Sequence, residues 1–169
     1  VTNVGIGVRS SKETAYEYLN RFTSNLGGTP VELNIGGVPV SGPVEKTYAD
    51  GLLVVGDAAG HVDPITGGGI HLAASCGKIA GEVAGEAIKS KNTSAKFLKR
   101  YEELWKAEIG DLIKRSLKYR KVLDKLNDKE LNALAKFMKG RDLSSVTGRS
   151  LLGLVKESPS LVRHLKDVL

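Results

Sequence analysis

The chain has a single cysteine, Cys76, a single methionine, Met138, and a single tryptophan, Trp105, among 169 residues. One cysteine excludes an internal disulfide, and it fits a reducing cytoplasm. One cysteine and three dispersed histidines offer no zinc-binding spacing, so no metal site is expected. No apolar run reaches membrane-spanning length and no secretory signal opens the chain, so any membrane contact is expected to be peripheral. A Gly-x-x-x-x-Gly-Lys-Ser/Thr loop is missing, which argues against nucleotide hydrolysis. The basic half contains no recognisable nucleic-acid module, so no nucleic-acid partner is expected.

What is present suffices for a core: 41% of residues are hydrophobic. The 20 glycines cluster in the first half. Charge is divided unevenly. Residues 1–90 hold six Lys and Arg against nine Asp and Glu, whereas residues 91–169 hold nineteen against ten. A basic second half suits an anionic partner, such as lipid headgroups or an acidic protein; a solvated helical surface is the plainer alternative. The chain opens on Val1 and its methionine lies at position 138, so it reads as the later part of a longer protein.

The stretch Gly51–Ser90 organises the rest. Leu52–Val55 is a short apolar run that fits a buried strand. Gly56-Asp57-Ala58-Ala59-Gly60 follows, where small residues allow close backbone approach and place one carboxylate at the strand's end. Asp63-Pro64-Ile65-Thr66-Gly67-Gly68-Gly69 then makes a turn that opens a helix running to about Lys89. Free amides and the positive end of a helix dipole converge at such a place, which seats a phosphate-bearing or electron-rich ligand. Within that helix Ala73, Gly77, Gly81 and Gly85 recur every four residues and form a smooth ridge, suited to unusually close packing on a sheet. Lys78, Glu82 and Glu86 rule out a lipid-exposed span despite the Gly-x-x-x-Gly spacing.

These motifs, with Asn34-Ile35-Gly36-Gly37-Val38-Pro39-Val40 and Val4-Gly5-Ile6-Gly7-Val8 upstream, resemble the second flavin-binding motif of the flavoproteins that include aromatic hydroxylases and geranylgeranyl reductases. The Gly-Asp-Ala-Ala-Gly step, the Asp-Pro and the Thr-Gly-Gly-Gly-Ile helix start look most like the archaeal geranylgeranyl reductases, and the resemblance fades after about Ser90. It implies the C-terminal portion of a Rossmann-like, glutathione-reductase-type α/β flavin domain with a helical tail, the segment itself being α+β by content. Residues 1–30 would close a substrate-binding domain, 31–90 would form the second half of the FAD domain, and 91–169 the helical region. Gly5-Ile6-Gly7-Val8-Arg9-Ser10 has Ser where a third glycine of the first flavin fingerprint belongs, and reads as a plain strand end.

The same resemblance assigns Gly56, Asp57, Pro64, Gly67, Gly68, Gly69 and Ile70 to FAD. Asp57 would accept a hydrogen bond from a ribityl hydroxyl, and the amides of residues 67–70 would face the flavin's pyrimidine edge. His61 and His71 flank the site as weak candidates for proton donation or substrate orientation. Asp63 suits capping of the turn better than acid–base work. Cys76 reads as buried packing. The implied activity is FAD-dependent reduction of prenyl double bonds in isoprenoid membrane lipids. Reduced ferredoxin or NAD(P)H would be the electron donor, in the cytoplasm or at the inner membrane face, with residues 91–169 against an anionic surface. An aromatic hydroxylase, a quinone-linked electron-transfer dehydrogenase and a non-catalytic helical module that binds a partner or membrane remain open as alternatives.

The remaining elements follow from periodicity. Val1–Val8 is β-rich. A helix is expected over Thr14–Leu26 with Ser11 as cap, stopped by Gly27-Gly28. Val31–Val44 reads as extended and irregular, and Lys46–Gly51 as a polar turn. A long amphipathic helix is expected over Ala95–Leu126, with Tyr101, Trp105, Ile109, Leu112, Tyr119, Leu123 and Leu126 on its apolar stripe and a bend at Gly110. Asp128 would cap the next helix, which stops at Gly140. Short helices are expected from Asp142 through Val146 and after Ser158-Pro159.

Overall fold

The computed structural model describes residues 1–9, 11–139 and 160. The expected stop at Gly140, the helices after Asp142 and Ser158-Pro159, the apolar Leu151–Val155 and the fingerprint position Ser10 lie outside the described residues. The chain divides into two units, Val1–Gly37 and Val38–Leu169.

In the first unit α1 spans Ala15–Thr23. Its cap is Thr14 rather than Ser11. Thr14 Oγ1 accepts from Glu17 N at 3.2 Å, and the Glu17 carboxylate accepts from Thr14 N at 2.6 Å. This reciprocal pair satisfies two amides that a helix start otherwise leaves bare, and Thr-x-x-Glu is its sequence signature. Residues 1–8 form no strand. A β-rich segment becomes a strand only on pairing, and no ladder partner exists for it among the described residues. Residues 31–39 are likewise unpaired, with Val31, Leu33 and Ile35 exposed.

The second unit is mostly helical, with one small sheet. Strands β1 (Tyr48–Ala49) and β2 (Leu52–Leu53) pair antiparallel, Tyr48 opposite Leu53 and Ala49 opposite Leu52. The sheet therefore begins inside the stretch expected to be a turn, and the turn itself is Asp50-Gly51. The apolar run is only partly buried, with Leu52 exposed, because β1 is its one ladder partner among the described residues. Mixed content thus holds, with helix dominant.

Helix α2 (Ile70–Lys89) packs against α3 (Ala95–Trp105). The core joins Leu72, Cys76, Ala80, Val83 and Ala87 of α2 to Leu98, Tyr101 and Trp105 of α3, with Ile109 and Ile113 beyond. Small residues on one helix and rings on the other fill the gap. Between the helices α2 ends in a Schellman turn: Asn92 N donates to Ala87 O at 2.9 Å and Lys91 N to Ile88 O at 3.1 Å. Lys91 occupies the left-handed position that glycine usually fills, at φ 51°.

Helix α3 also holds the hairpin. Trp105 Nε1 donates to Thr47 Oγ1 at 2.9 Å, Thr47 N and Oγ1 donate to Glu102 Oε2, and Tyr101 Oη donates to Val54 O at 2.9 Å. Burial pushes the Glu102 carboxyl up, but its bonds to Lys106 and Thr47 outweigh that and hold it below its usual range.

The long helix is not uniform. A π turn at Lys106–Gly110 separates α3 from α4 (Asp111–Leu123). A wider turn lets Tyr101, Trp105, Ile109, Ile113 and Leu117, spaced by four, keep one side where a pure α-helix would drift. Hence Ile113 is buried, while Leu112 and Tyr119, both expected on the stripe, are exposed. Asn127, not Asp128, caps α5 (Asp128–Met138), in a capping box with Glu130.

The small-residue ridge of α2 is a second correction. A Cβ added at Gly77, Gly81 or Gly85 would meet nothing within 4 Å. Core packing uses the neighbouring face, where side chains exist to bury, and no described element approaches the glycines.

Candidate functional site

The turn after β2 is built for close backbone crossing. Residues Gly56–Ala59 form one short 3₁₀ turn, closed by Gly60 in the left-handed region at φ 71°. A Cβ on Gly60 would lie 2.4 Å from Gly42 O and 2.8 Å from Pro43 Cα, so conformation and space both demand glycine. Val44 N donates to Ala59 O at 3.1 Å and fixes the crossing strand of chain. What the small residues approach is thus this chain's own residues 42–44.

His61 lies directly beneath. Its ring is fully buried and sits 4.6 Å from the Trp105 ring, tilted by 54°. Gly56 N donates to Nδ1 at 3.3 Å, so the neutral ring carries its proton on Nε2, which has no hydrogen-bond partner among the described residues. Burial lowers the imidazole pKa. His71, by contrast, is exposed on the first turn of α2.

The second turn, Asp63–Gly69, is knit by its own side chains. Asp63 Oδ1 accepts from Ile65 N at 3.1 Å and Oδ2 from Thr66 Oγ1 at 2.8 Å, while Thr66 Oγ1 accepts from Gly68 N at 3.1 Å. Backbone bonds join Asp63 N to Gly68 O and Gly67 N to Asp63 O, both at 2.9 Å. Burial pushes the Asp63 pKa up, but hydrogen bonds from Ile65, Thr66 and Ser116 outweigh it and hold the carboxyl below its usual range. Asp63 is therefore the cap of this turn. The amides of Gly67 and Gly68 are spent inside the loop, which leaves those at the start of α2 for a ligand.

Gly69 brings the two turns together. A Cβ there would stand 3.2 Å from Asp57 Oδ1 and 3.1 Å from Val62 Cγ2. The missing side chain lets an exposed carboxylate and a helix N-terminus share one spot. Gly69, the N-cap of α2, has no side chain to cap it, and the first turn holds no acidic residue. Donors at Ile70, His71 and Leu72 have no acceptor within the helix. The pair offers an acceptor for a hydroxyl and donors for an electron-rich edge, about one turn apart. Asp57, Gly68, Ile70 and His71 are exposed around it, whereas Gly56 and Pro64 are buried. No described cluster of His, Cys, Asp or Glu could hold a metal ion. Cys76 is buried and its thiol is pushed up to about 11, by burial first and Glu108 second, so no reactive thiolate adjoins the site.

Two residues of the site carried no notice in the motif. Arg120 of α4 donates from a guanidinium nitrogen to the carbonyl of buried Pro64, and Ser116, one turn earlier, helps hold the Asp63 carboxyl below its usual range. A signal did exist: Arg120 is a cation on the side of α4 that carries Ile113 and Leu117.

No family model matches the chain. It is 55% identical over 170 residues to digeranylgeranylglycerophospholipid reductase 2 of Methanothermobacter thermautotrophicus, a match that covers 99% of this chain and 44% of that protein. Over almost its whole length the chain is similar to digeranylgeranylglycerophospholipid reductases. The digeranylgeranylglycerophospholipid reductase of Methanocaldococcus jannaschii is 49% identical, again over 99% of this chain and 44% of the relative. The likeness to geranylgeranyl reductases therefore does not fade after Ser90. Among solved structures, a geranylgeranyl bacteriochlorophyll reductase-like protein from Thermoplasma acidophilum superposes with a TM-score of 0.73 at 32% identity, over 92% of this chain and 40% of that one. The chain spans less than half the length of these proteins.

Proposed function

We propose that this chain supplies part of the flavin seat of an FAD-dependent reductase that saturates prenyl double bonds in isoprenoid membrane lipids. The observation that carries the reading is the meeting of Asp57 and Gly69 in a chain 55% identical to a digeranylgeranylglycerophospholipid reductase. Asp57 would accept a ribityl hydroxyl, and the first amides of α2 would face the pyrimidine edge, where donors favour developing negative charge. Bound FAD would supply hydride transfer to an alkene carbon. Around it, this chain would hold the cofactor and shield it with apolar Ile70. His71 is placed on the exposed rim and is the better proton-handling candidate; His61 is sealed under Trp105. Residues 31–90 would complete a Rossmann-like flavin domain, residues 1–30 would close the substrate domain, and the basic residues of 91–169 would rest on an anionic membrane surface from the cytoplasmic side. Ferredoxin or NAD(P)H would provide electrons.

Flavin titration tests this. FAD fluorescence should quench on a chain of the relatives' full length and barely on the 169 residues alone, and the long form should reduce a digeranylgeranylglycerophospholipid under a chemical reductant. Absence of quenching by either form overturns the flavin reading; quenching without lipid reduction overturns the substrate.

A further inference from the structure

The geometry points to α4 as the brace that keeps the Asp63–Gly69 turn in its ligand-holding shape, with Arg120 as the positioning residue. The inference rests on the flavin reading of that turn.

The turn has little else to hold it. Its inner bonds tie Asp63 to Ile65, Thr66, Gly67 and Gly68, all within the same seven residues. Such a loop can move as one body unless something outside grips it. Pro64 has no amide, and its carbonyl, in a residue with almost no exposure, needs a donor from elsewhere. Arg120 provides it from 56 residues away. The Arg120 side chain is itself only 16% exposed, and its Nε forms an ion pair with Asp124 Oδ2 at 3.6 Å, beyond hydrogen-bond reach. Ser116 stands four residues before Arg120, hence on the same side of α4, and helps hold the Asp63 carboxyl below its usual range. One bond from this helix face thus falls on the turn at Pro64, next to the carboxyl of Asp63. The effect of Arg120 on a ligand passes through Pro64, the residue of the turn that it bonds. Fixing the turn fixes Gly69, and with it the start of α2 and the side on which Asp57 lies.

The test separates the brace from the ligand. Hydrogen exchange at Gly67 and Gly68 reports on the turn without any flavin, since both amides bond within it. In Arg120→Ala these two amides should exchange about tenfold faster, while amides at the centres of α2 and α3 keep their rates; Ser116→Ala should act in the same direction more weakly. On a chain of the relatives' length, Arg120→Ala should weaken FAD about tenfold and shift the bound flavin's absorption bands. Arg120→Lys, which can still donate to Pro64 O, should recover much of both. Unchanged exchange at Gly67 and Gly68 in Arg120→Ala overturns the brace. A general rise in exchange across α2 and α3 overturns it too, by making Arg120 a fold residue. Faster exchange in the turn with unchanged FAD affinity upholds the brace and overturns the flavin reading of the turn.

Discussion

Asp57 and Gly69 lie against each other because Gly69 has no side chain: Oδ1 of the aspartate is 3.2 Å from where a Cβ would be. Their φ values do not require this; Gly69 sits at φ −126°, which any residue adopts. Space alone is the constraint. Gly69→Ala should therefore push on Asp57, which is exposed and can swing away, and on Val62, which is buried and cannot. We expect a loss of about 1 kcal/mol in stability, read as a melting shift of a few degrees. FAD affinity on a chain of the relatives' length should fall further, by more than tenfold. Equal binding by wild type and Gly69→Ala would show that this spot is not where a ligand rests.

Gly60→Ala should be far more damaging. The new Cβ meets backbone, not side chain, and the residue must hold φ 71°. Backbone strain and a clash with Gly42 and Pro43 together should cost about 3 kcal/mol or more, enough to threaten folding of a marginal chain. Circular dichroism melts would show it, and a melt within two degrees of wild type would contradict the crossing.

His61 should make stability fall on the acid side. Its folded pKa lies below the ordinary 6.5 because the ring is buried. Below pH 6.5 the unfolded chain binds a proton that the folded chain resists. The contribution is complete above that pH and is lost as pH drops toward the folded value. His61→Asn keeps an acceptor for Gly56 N and removes the titration. It should lower stability at neutral pH through lost contact with Trp105, yet flatten the slope of denaturation midpoints between pH 6.5 and 5. An unchanged slope would mean that another group sets it.

Lys91→Gly should stabilise. Lys91 holds φ 51° at the end of α2 with its side chain free of any role in the two closing bonds. Glycine there removes a strain of about 0.5–1 kcal/mol, offset only in part by greater freedom of the unfolded chain. A chemical-denaturation midpoint that moves down would refute it.

The legible parts of this chain were those where one local rule decides. The turn and helix start from Asp63 to Ile70 follow from Asp-Pro, Thr and three glycines, and the structure places them as the motif implies. Thr14-x-x-Glu17 and Asn127-x-x-Glu130 were equally local, and reading Ser11 and Asp128 as caps overlooked the reciprocal partner. Strands at residues 1–8 and 31–44 were not decidable locally, since an extended segment is a strand only when another pairs with it. The stripe of the long helix is off by one position because a π turn changes the phase; Gly110 marks an irregularity at that place but not the extra residue in the turn. Arg120 was invisible to motif reading for a different reason: its partner is a backbone carbonyl, which every sequence has.

The bare side of α2 carries one further implication. Ile70, Ala74, Gly77, Gly81 and Ile88 fall on one face, Ile70 at 91% and Ile88 at 72% exposure, with open space over the glycines. Glycine and alanine have no rotamers to freeze, so a surface laid on this strip would order almost nothing but the two isoleucines. The strip is rigid before it is covered. Whatever rests there, its fit is settled by the shape of the helix backbone, and a single added methyl at Gly77 or Gly81 would change that shape more than any change of charge along the helix.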